Sequence, residues 1–271
     1  MVTRPWVVTS RLCRGGPAYS SAVPQTAFVV LAGGSGSRVG ARSGGVDLNK
    51  VYLPLAGRRV ISWSFVWAAQ VPEVTRFVLV VRPQDAELAA QTLVQDLPGL
   101  AVDLVIGGAT RHASEDAALA HLAPMVDDGA LDVIAIQDGA RPLAGPSLVR
   151  RVITTAAEHG GSLPAVPADG VLQWDGTAPT DPTAIDSSPT GPRRLVRVQT
   201  PQAFRARDLL AAYAAAQVAG FQGTDTASSV EAFSELAIHT VPGSRDNLKI
   251  TYPDDVHLAE RVLAAHGRQL P

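Results

Sequence analysis

Apolar positions follow two different patterns along most of the chain. Short apolar runs predict strands at residues 27–33, 77–81, 101–108, 132–140 and 162–166, with a further strand-like run at 237–243. Apolar residues at helical spacing predict helices at residues 60–70, 85–97, 114–125, 146–160, 207–220, 224–233 and 254–267. Strands that are apolar on both faces and alternate with helices predict an α/β fold, with a mostly parallel sheet covered on both faces. Such sheets bind ligands beyond the carboxyl ends of their strands.

Two segments depart from this pattern. Residues 1–26 contain scattered arginines and prolines without periodicity, and we expect a disordered N-terminal extension there. Residues 168–196 are rich in Pro, Thr, Asp and Gly, which predicts an arm or flexible loop that leaves the domain. We therefore expect a single domain over residues 27–267 that carries this arm.

The composition narrows the class of protein. The chain has 271 residues, of which 46% are hydrophobic, and a formal net charge of -2. These values are typical of a globular protein, and the near-neutral charge argues against a general nucleic-acid binder. The single cysteine, Cys13, excludes an internal disulfide and a cysteine-based metal site. Because no signal peptide or apolar run of membrane-spanning length is found, we expect a cytoplasmic protein without a membrane partner.

A glycine-rich loop follows the first predicted strand, in the stretch VVLAGGSGSRVG at residues 29–40. It lacks the last glycine of the dinucleotide fingerprint, because that position is Val39, and it lacks the Gly-Lys-Ser/Thr of a Walker A loop. It does offer backbone amides beside Arg38, with a second cation, Lys50, further along. This combination suits a triphosphate attacked at its α-phosphate, since charge grows on the oxygens there. The alternative is a tight turn with two solvated cations.

Further polar motifs follow the later strands. They are GGATRHAS (107–114), DGARP (138–142), QTPQAF (199–204), GTDTAS (223–228) and DNLKIT (246–251). An isolated Asp after a strand is most often a helix N-cap. Beside a triphosphate, however, Asp138 is a candidate Mg²⁺ ligand, since a hard cation held by phosphates needs only one or two protein carboxylates. Asp246 is the candidate for a second ligand.

The order of these motifs, from LAGGSGSR (31–38) and KVYL (50–53) to DNLKIT, resembles the 2-C-methyl-D-erythritol 4-phosphate cytidylyltransferase family over residues 27–265. The resemblance implies a Rossmann-like nucleotidyltransferase fold whose protruding β-arm builds a homodimer. It also implies a step of non-mevalonate isoprenoid precursor synthesis, in which the phosphate of the sugar-alcohol acceptor attacks the α-phosphorus of CTP and releases pyrophosphate. No covalent enzyme intermediate is expected, and Mg²⁺ is the expected cofactor.

The resemblance also assigns roles by position. Arg38, Lys50 and Lys249 are expected to be the catalytic cations around the phosphates. The positions expected to bind the nucleotide are Ala32, Gly33, Gly34, Gly36, Gly108, Arg111, Ser114 and Asp138, of which Ala32, Gly33, Gly108 and Ser114 enclose cytosine. The positions expected to bind the acceptor are Arg141, Arg193, Arg194, Thr200 and Thr224. Asp138 and Asp246 remain the candidate metal ligands.

The sequence departs from the family pattern mainly on the acceptor side. Val171 occupies the position of an expected threonine, and the arm arginines Arg193 and Arg194 are shifted in register. On the nucleotide side, Asn49 stands where a proline is expected. These departures keep open a cytidylyltransferase that acts on another alditol phosphate, such as ribitol 5-phosphate, or on a phosphonate. An alternative of a different class is a catalytically degenerate nucleotide-binding paralogue, against which the joint presence of the catalytic cations and Asp138 argues.

Overall fold

A computed structural model of the chain describes residues 23–33, 42–43, 46–47, 49–168 and 196–266. The predicted N-terminal extension and the predicted arm therefore lie almost entirely outside the described residues. The first strand begins at Thr26, next to the predicted start of the domain at residue 27.

The predicted strands and helices are all found, with ends that differ by a few residues. The strands are β1 (Thr26–Leu31), β2 (Arg42–Ser43), β3 (Val46–Asp47), β4 (Pro54–Leu55), β5 (Arg58–Arg59), β6 (Val74–Val81), β7 (Asp103–Ile106), β8 (Val133–Asp138), β9 (Gly161–Pro167), β10 (Val196–Val198), β11 (Gln202–Arg205) and β12 (Ile238–Pro242). The helices are α1 (Val60–Ala68), α2 (Ala86–Asp96), α3 (Arg111–Asp127), α4 (Gly145–His159), α5 (Ala206–Val218), α6 (Thr226–Phe233) and α7 (Asp254–His266), with short 3-10 helices at Lys50–Tyr52 and Pro83–Asp85. None of the helices in the described segments combines the length and apolar composition needed to cross a membrane.

Most of the strands belong to one sheet, in the spatial order β10-β9-β11-β8-β1-β6-β7, and β12 also pairs with β9. Strands β1, β6, β7 and β8 are mutually parallel, and β12 is parallel to β9. Strands β10 and β11 run antiparallel to their neighbours. The prediction of an α/β fold with a mostly parallel sheet is confirmed.

Strand β11 is an element that the hydrophobic pattern does not predict. It has only four residues, QAFR, which is too short for a periodic signal. It inserts between β8 and β9, where Ala203 pairs with Ala135 on one side and Ser162 on the other. Because β11 runs opposite to β8, the residues just before it lie at the carboxyl end of β8. The QTP segment (199–201) is thereby brought to the predicted ligand edge.

The two faces of the sheet have separate buried clusters. Phe28 and Val30 of β1 lie in one cluster with side chains of α1, α2 and α4. Ala27 and Val29 lie in the other with side chains of α3, α5 and α6. Successive residues of a strand point to opposite faces, so β1 must be apolar throughout. This explains the continuous apolar run of the first predicted strand.

A third buried cluster joins the C-terminal helix to α1. Trp63 and Trp67, one helical turn apart, contact each other with ring centroids separated by 5.5 Å, and they pack with Leu263 of α7. Ile250 is also part of this cluster and is 0% exposed. Burial of Ile250 against α1 fixes the chain next to Lys249, one of the predicted catalytic cations.

Candidate active site

The loops after three strands meet at one edge of the sheet. Backbone hydrogen bonds of 2.8 to 2.9 Å link the residue after β1 to β6, the residue after β7 to β6, and the residue after β8 to β1. The loops that begin at Ala32, Gly107 and Gly139 therefore lie side by side. This is the carboxyl edge at which the sequence predicts a ligand site.

Asp138, the last residue of β8, is the centre of a cluster of charges. Its Oδ2 lies 2.8 Å from Lys249 Nζ and 3.5 Å from Arg141 Nε. Its Oδ1 accepts a hydrogen bond from Arg111 Nη1. The Asp138 side chain is 9% exposed. Predicted site residues from three separate motifs are thus brought together around one carboxylate.

The charge state of Asp138 follows from these contacts. Burial alone would raise the pKa of its carboxyl group, because the carboxylate loses solvation. The charges of Arg111 and Lys249, and the hydrogen bonds that both donate, outweigh burial and hold the pKa of Asp138 well below its ordinary value. Burial opposes the charge of Arg111 too, but Asp138 and Glu115 keep the Arg111 pKa above its ordinary value. The Asp138 carboxylate and the Arg111 guanidinium are therefore both ionised at neutral pH.

Thr200 and Asn247 fix the backbone around Asp138. Thr200 Oγ1 accepts from the Asp138 N–H at 3.0 Å and donates to Gln137 Oε1 at 2.9 Å. Asn247 Nδ2 donates to the Thr200 carbonyl at 2.9 Å, and Arg141 Nη1 donates to the Asn247 carbonyl at 2.8 Å. Thr200 and Arg141 thus have partners inside the protein, and their predicted contacts with an acceptor stay predictions.

Small residues form a tight floor beside this cluster. Ser114 of α3 is 2% exposed. A Cβ atom built on Gly33 would lie 3.1 Å from Ser114 Oγ, and one built on Gly107 would lie only 2.7 Å from it. A Cβ on Gly108 would collide with Ala113. A side chain at position 107 or 108 would therefore force its neighbours to shift, the fit at Gly33 is tight, and bare backbone borders the predicted nucleotide pocket.

Lys50 begins a 3-10 helix directly after a buried asparagine. Asn49 is 2% exposed, and its Nδ2 donates to the Ala32 carbonyl at 2.7 Å and to Asp85 Oδ2 at 3.3 Å. Arg82 in turn donates to the Asp85 carboxylate at 2.7 and 2.9 Å. Asn49 therefore ties the segment that carries Lys50 to the end of β1. A polar anchor stands here in place of the expected proline.

The other predicted site residues lie at the rim or outside the described segments. Thr224 is exposed, and its N–H donates to Ser228 Oγ at 3.0 Å. Asp246 is exposed on the turn before Lys249. Among the described side chains, no group of three or more His, Cys, Asp or Glu residues is placed to hold a metal ion. The predicted site residues Gly34, Gly36, Arg38, Arg193 and Arg194 lie outside the described residues, as does Val171.

Helix α3 begins earlier than predicted, which corrects the placement of His112. Thr110 caps the helix by accepting from the Ala113 N–H at 3.1 Å, so Arg111 and His112 lie in its first turn. His112 is 5% exposed, and its ring stacks on Tyr213 with centroids 4.8 Å apart. The predicted start of the helix at residue 114 is too late, because the polar run TRHAS conceals the first turn.

The sequence alone does not single out Glu115 and Gln202, which are each 1% exposed. Glu115 Oε1 lies 3.0 Å from Arg111 Nε. Gln202 accepts from the Ala227 N–H at 2.9 Å and donates to Asp225 at 3.0 Å, which fixes the capped start of α6. A carboxylate four residues after a site arginine in a helix is the signal that could have found Glu115.

The chain matches the family model for 2-C-methyl-D-erythritol 4-phosphate cytidylyltransferase over residues 26–265. The protein belongs to this family. The match extends from β1 into α7 and includes every described residue of the charge cluster. The family resemblance and the nucleotidyltransferase class predicted from the sequence are confirmed.

Relatives from distant bacteria match along nearly their whole length. The 2-C-methyl-D-erythritol 4-phosphate cytidylyltransferase of Cereibacter sphaeroides (strain KD131) is 39% identical over 242 residues, which are 88% of this chain and 97% of the relative. The protein of the same name from Gloeobacter violaceus is 35% identical over 247 residues, which are 90% of this chain and 98% of the relative. The similarity therefore covers whole proteins and not a shared segment.

Solved structures show the same fold. The crystal structure of 2-C-methyl-D-erythritol 4-phosphate cytidylyltransferase from Thermus thermophilus aligns with a TM-score of 0.62 at 25% identity, covering 89% of this chain and 99% of that one. The 4-diphosphocytidyl-2C-methyl-D-erythritol synthase from Anaerococcus prevotii aligns with a TM-score of 0.72 at 24% identity, covering 89% and 96%. The predicted nucleotidyltransferase fold is thereby confirmed.

Replacing Asp138 with asparagine tests what the charge cluster contributes to stability. At pH 7 we expect Asp138→Asn to lower the free energy of unfolding by on the order of 3 kcal/mol, because partly buried cations lose their counter-charge. The pKa of Asp138 is lowered on folding, so its contribution is present above the unfolded-state pKa of about 4 and is lost as the pH falls. The difference between wild type and variant should then shrink by about 1.4 kcal/mol per pH unit below about pH 4.

Urea unfolding of both proteins between pH 7 and pH 3 measures this difference. Asp103→Asn is the matched control, because Asp103 is 40% exposed and its partner is the exposed His121 at 3.0 Å. The control should change stability little, since exposed ion pairs contribute little. A difference between wild type and Asp138→Asn that is constant below about pH 4 would contradict the assigned charge state.

Proposed function

We propose that this protein transfers the cytidylyl group of CTP to the phosphate of 2-C-methyl-D-erythritol 4-phosphate. A bond forms between an oxygen of the acceptor phosphate and the α-phosphorus of CTP. The bond from that phosphorus to the bridging oxygen of the β-phosphate breaks, and pyrophosphate leaves with the electron pair. The product is 4-diphosphocytidyl-2-C-methyl-D-erythritol. The observation that carries the proposal is the Asp138 charge cluster, found at the ligand edge of a chain that belongs to this family.

The glycine floor supports the nucleotide end of this assignment. Gly107 and Gly108 pack closely against Ser114 and Ala113, and like Gly33 they carry no side chain, so a flat base could lie against the main chain there. Backbone amide and carbonyl groups can then recognise the edge of the base. The floor lies next to the charge cluster. A nucleoside triphosphate with its base on the floor would therefore place its phosphates beside the cluster.

The charge cluster suits the transition state of in-line attack. Arg111, Arg141 and Lys249 face Asp138, and Glu115 balances part of the charge of Arg111, so cations remain in excess. Lys249 is 44% exposed and borders solvent on the open side. Charge grows on the α-phosphate oxygens as attack proceeds, so cations already in place stabilise the transition state more than the ground state.

The acceptor needs orientation more than activation. Its phosphate is already ionised at neutral pH, and its oxygen can attack the α-phosphorus without a strong general base. The contribution required of the protein is therefore to hold the phosphate in line with the breaking bond. Arg141 and the exposed Thr224 are proposed to do so, together with Thr200 and the arm arginines Arg193 and Arg194.

Mg²⁺ is the proposed cofactor, and Asp138 fits it. The carboxylate is ionised, lies at the ligand edge, and is enough for an ion that also binds phosphate oxygens. Asp138 would hold the ion at the ligand edge, where its carboxylate also faces Arg111 and Lys249. When bound, Mg²⁺ supplies neutralisation of the triphosphate charge. Asp246, exposed before Lys249, is the proposed second ligand.

A homodimer built by the arm is part of the same proposal, and the molecular mass in light scattering tests it. Residues 169–195, which include most of the predicted arm, lie outside the described residues. The cytoplasmic location stays a prediction from the sequence.

Pyrophosphate release from CTP tests the function directly. The panel of acceptors is 2-C-methyl-D-erythritol 4-phosphate, ribitol 5-phosphate, glycerol 3-phosphate and a hydroxyalkylphosphonate. We expect rapid release with 2-C-methyl-D-erythritol 4-phosphate and at most slow release with the others. Preferential turnover of another acceptor would overturn the assigned substrate, and a lack of turnover with all of them would favour the degenerate paralogue.

Lys50→Ala tests the assignment of the catalytic cations. We expect kcat with CTP and 2-C-methyl-D-erythritol 4-phosphate to fall by on the order of 100-fold or more, because a fixed cation beside the developing charge is lost. The fold should be retained, since Asn49 ties this segment to the Ala32 carbonyl. Arg76→Ala is the control, because it removes an exposed cation near the amino end of β6, away from the ligand edge. Near-normal turnover of Lys50→Ala would reject the role of Lys50.

Removal of divalent ions tests the cofactor. We expect EDTA to abolish pyrophosphate release and Mg²⁺ to restore it, because the triphosphate charge is otherwise neutralised only by side chains. The melting temperature of the protein without nucleotide should be unaffected, since the Asp138 carboxylate is then paired with protein cations. Turnover that persists in EDTA would contradict the proposal.

A further inference from the structure

Glu115 is buried at the centre of a hydrogen-bond network that joins three helices. Its side chain, on α3, is 1% exposed. Oε1 accepts from Arg111 Nε at 3.0 Å and from Thr226 Oγ1 at 2.8 Å. Oε2 accepts from the Tyr213 hydroxyl at 2.6 Å. These donors lie in the first turn of α3, at the start of α6 and in α5, so the network connects segments that are far apart in the sequence.

Burial of a carboxylate costs free energy, and hydrogen bonds between helices do not require a charged group. Burial raises the pKa of Glu115, because the charged form loses solvation, and Arg111 and the two hydroxyl groups act against that shift. The carbonyl oxygen of a neutral amide can also accept hydroxyl hydrogen bonds. The contact that gains most from a negative charge is the one with Arg111.

Glu115 determines how Arg111 meets Asp138. Arg111 uses Nε for Glu115 and Nη1 for Asp138, so one guanidinium bridges two carboxylates. Because the guanidinium is planar, these two contacts also fix the direction of the third nitrogen, Nη2. Arg111 Nη2 is buried and has no hydrogen-bond partner within the described part of the chain.

An arginine without this restraint would pair differently with Asp138. A guanidinium and a carboxylate form their strongest pair through two parallel hydrogen bonds. With Nε held by Glu115, the side-on pair through Nε and Nη2 is not open to Asp138, and the contact observed is a single one from Nη1 to Oδ1, which leaves Oδ2 for Lys249 at 2.8 Å. The two carboxylates thus share the cations in a fixed arrangement.

We propose that Glu115 is a positioning residue for cytidylyl transfer. It orients Arg111 so that Asp138 is shared between Arg111 and Lys249, and it thereby sets where both cations stand beside the triphosphate. The kinetic consequence of this inference rests on the proposed function, whereas the orientation of Arg111 can be observed without turnover.

Glu115→Gln keeps the shape of the side chain and removes its charge. We expect kcat to fall on the order of 100-fold, because misplacement of a positioning cation is costly in the transition state. KM for CTP should change by less than about threefold, since the cations stay in the site. Asp116→Asn is the matched control, because Asp116 is the next residue of the same helix and lies 3.6 Å from His112. The control should retain wild-type kcat and KM, and an equal loss in both variants would overturn the inference.

A double-mutant cycle separates positioning from general stability. A lysine at position 111 keeps a positive charge but lacks the planar fork that bridges two carboxylates. In an Arg111→Lys background we therefore expect Glu115→Gln to reduce kcat much less than in the wild type. If the loss from Glu115→Gln is the same in both backgrounds, Glu115 does not act through Arg111, and the inference is wrong.

The ¹⁵N resonance of Arg111 Nε, assigned by its disappearance in Arg111→Lys, gives a readout without substrate. We expect a slowly exchanging Nε–H in the wild type and in Asp116→Asn, and a shifted or fast-exchanging one in Glu115→Gln. An unchanged resonance in Glu115→Gln overturns the inference. If that variant does not fold, Thr226→Val removes one donor to Oε1 and must shift the same signal, and no shift overturns it too. A wild type that is inactive with every acceptor refutes the proposed function, while this signal still decides the role of Glu115.

Discussion

The carboxylate of Asp138 faces Arg111, Arg141 and Lys249, which arrive from the start of α3, the loop after β8 and the segment after β12. Three cations around one carboxylate repel one another, so the ion cluster is stable only while Asp138 is ionised. The fold delivers that carboxylate through the alignment of β8 with β1 and through the Thr200 hydroxyl, which accepts from its backbone N–H. The antiparallel insertion of β11 is what brings Thr200 there. The packing of these strands and loops and the proposed chemistry therefore both depend on the ion cluster around Asp138.

Buried polar side chains next to this cluster set the positions of the predicted site residues. Asn49 fixes the segment of Lys50 against the Ala32 carbonyl, and Glu115 fixes the guanidinium of Arg111. Both are within 2% of complete burial and have hydrogen-bond partners on separate elements. A buried polar group has few alternative positions, because each lost hydrogen bond is costly away from water. The predicted nucleotide side of the site is therefore preorganised, as a reaction controlled by electrostatics requires.

The sequence predicts the parallel sheet and its helices because β1 and its neighbours are apolar on both faces and the helices have clear periodicity. The family resemblance marks the residues that gather at Asp138 as site residues, and the ligand edge of a parallel sheet is where such residues are expected to meet. It does not predict β11, whose four residues leave no periodic signal, or the first turn of α3, whose residues are polar. Glu115 is missed for a different reason. A charged residue in an amphipathic helix normally indicates solvent, and only the tertiary contacts with Tyr213 and Thr226 show that it is buried.

Asn49 also shows how a departure from a sequence motif should be interpreted. Asn49 replaces the expected proline, yet the segment that carries Lys50 is anchored through the Ala32 carbonyl and the Asp85–Arg82 pair. A residue type in a motif therefore represents an interaction, and a different residue can anchor the same segment. The similarity of whole chains to 2-C-methyl-D-erythritol 4-phosphate cytidylyltransferases outweighs single letters, because it reports on all the contacts of the site together.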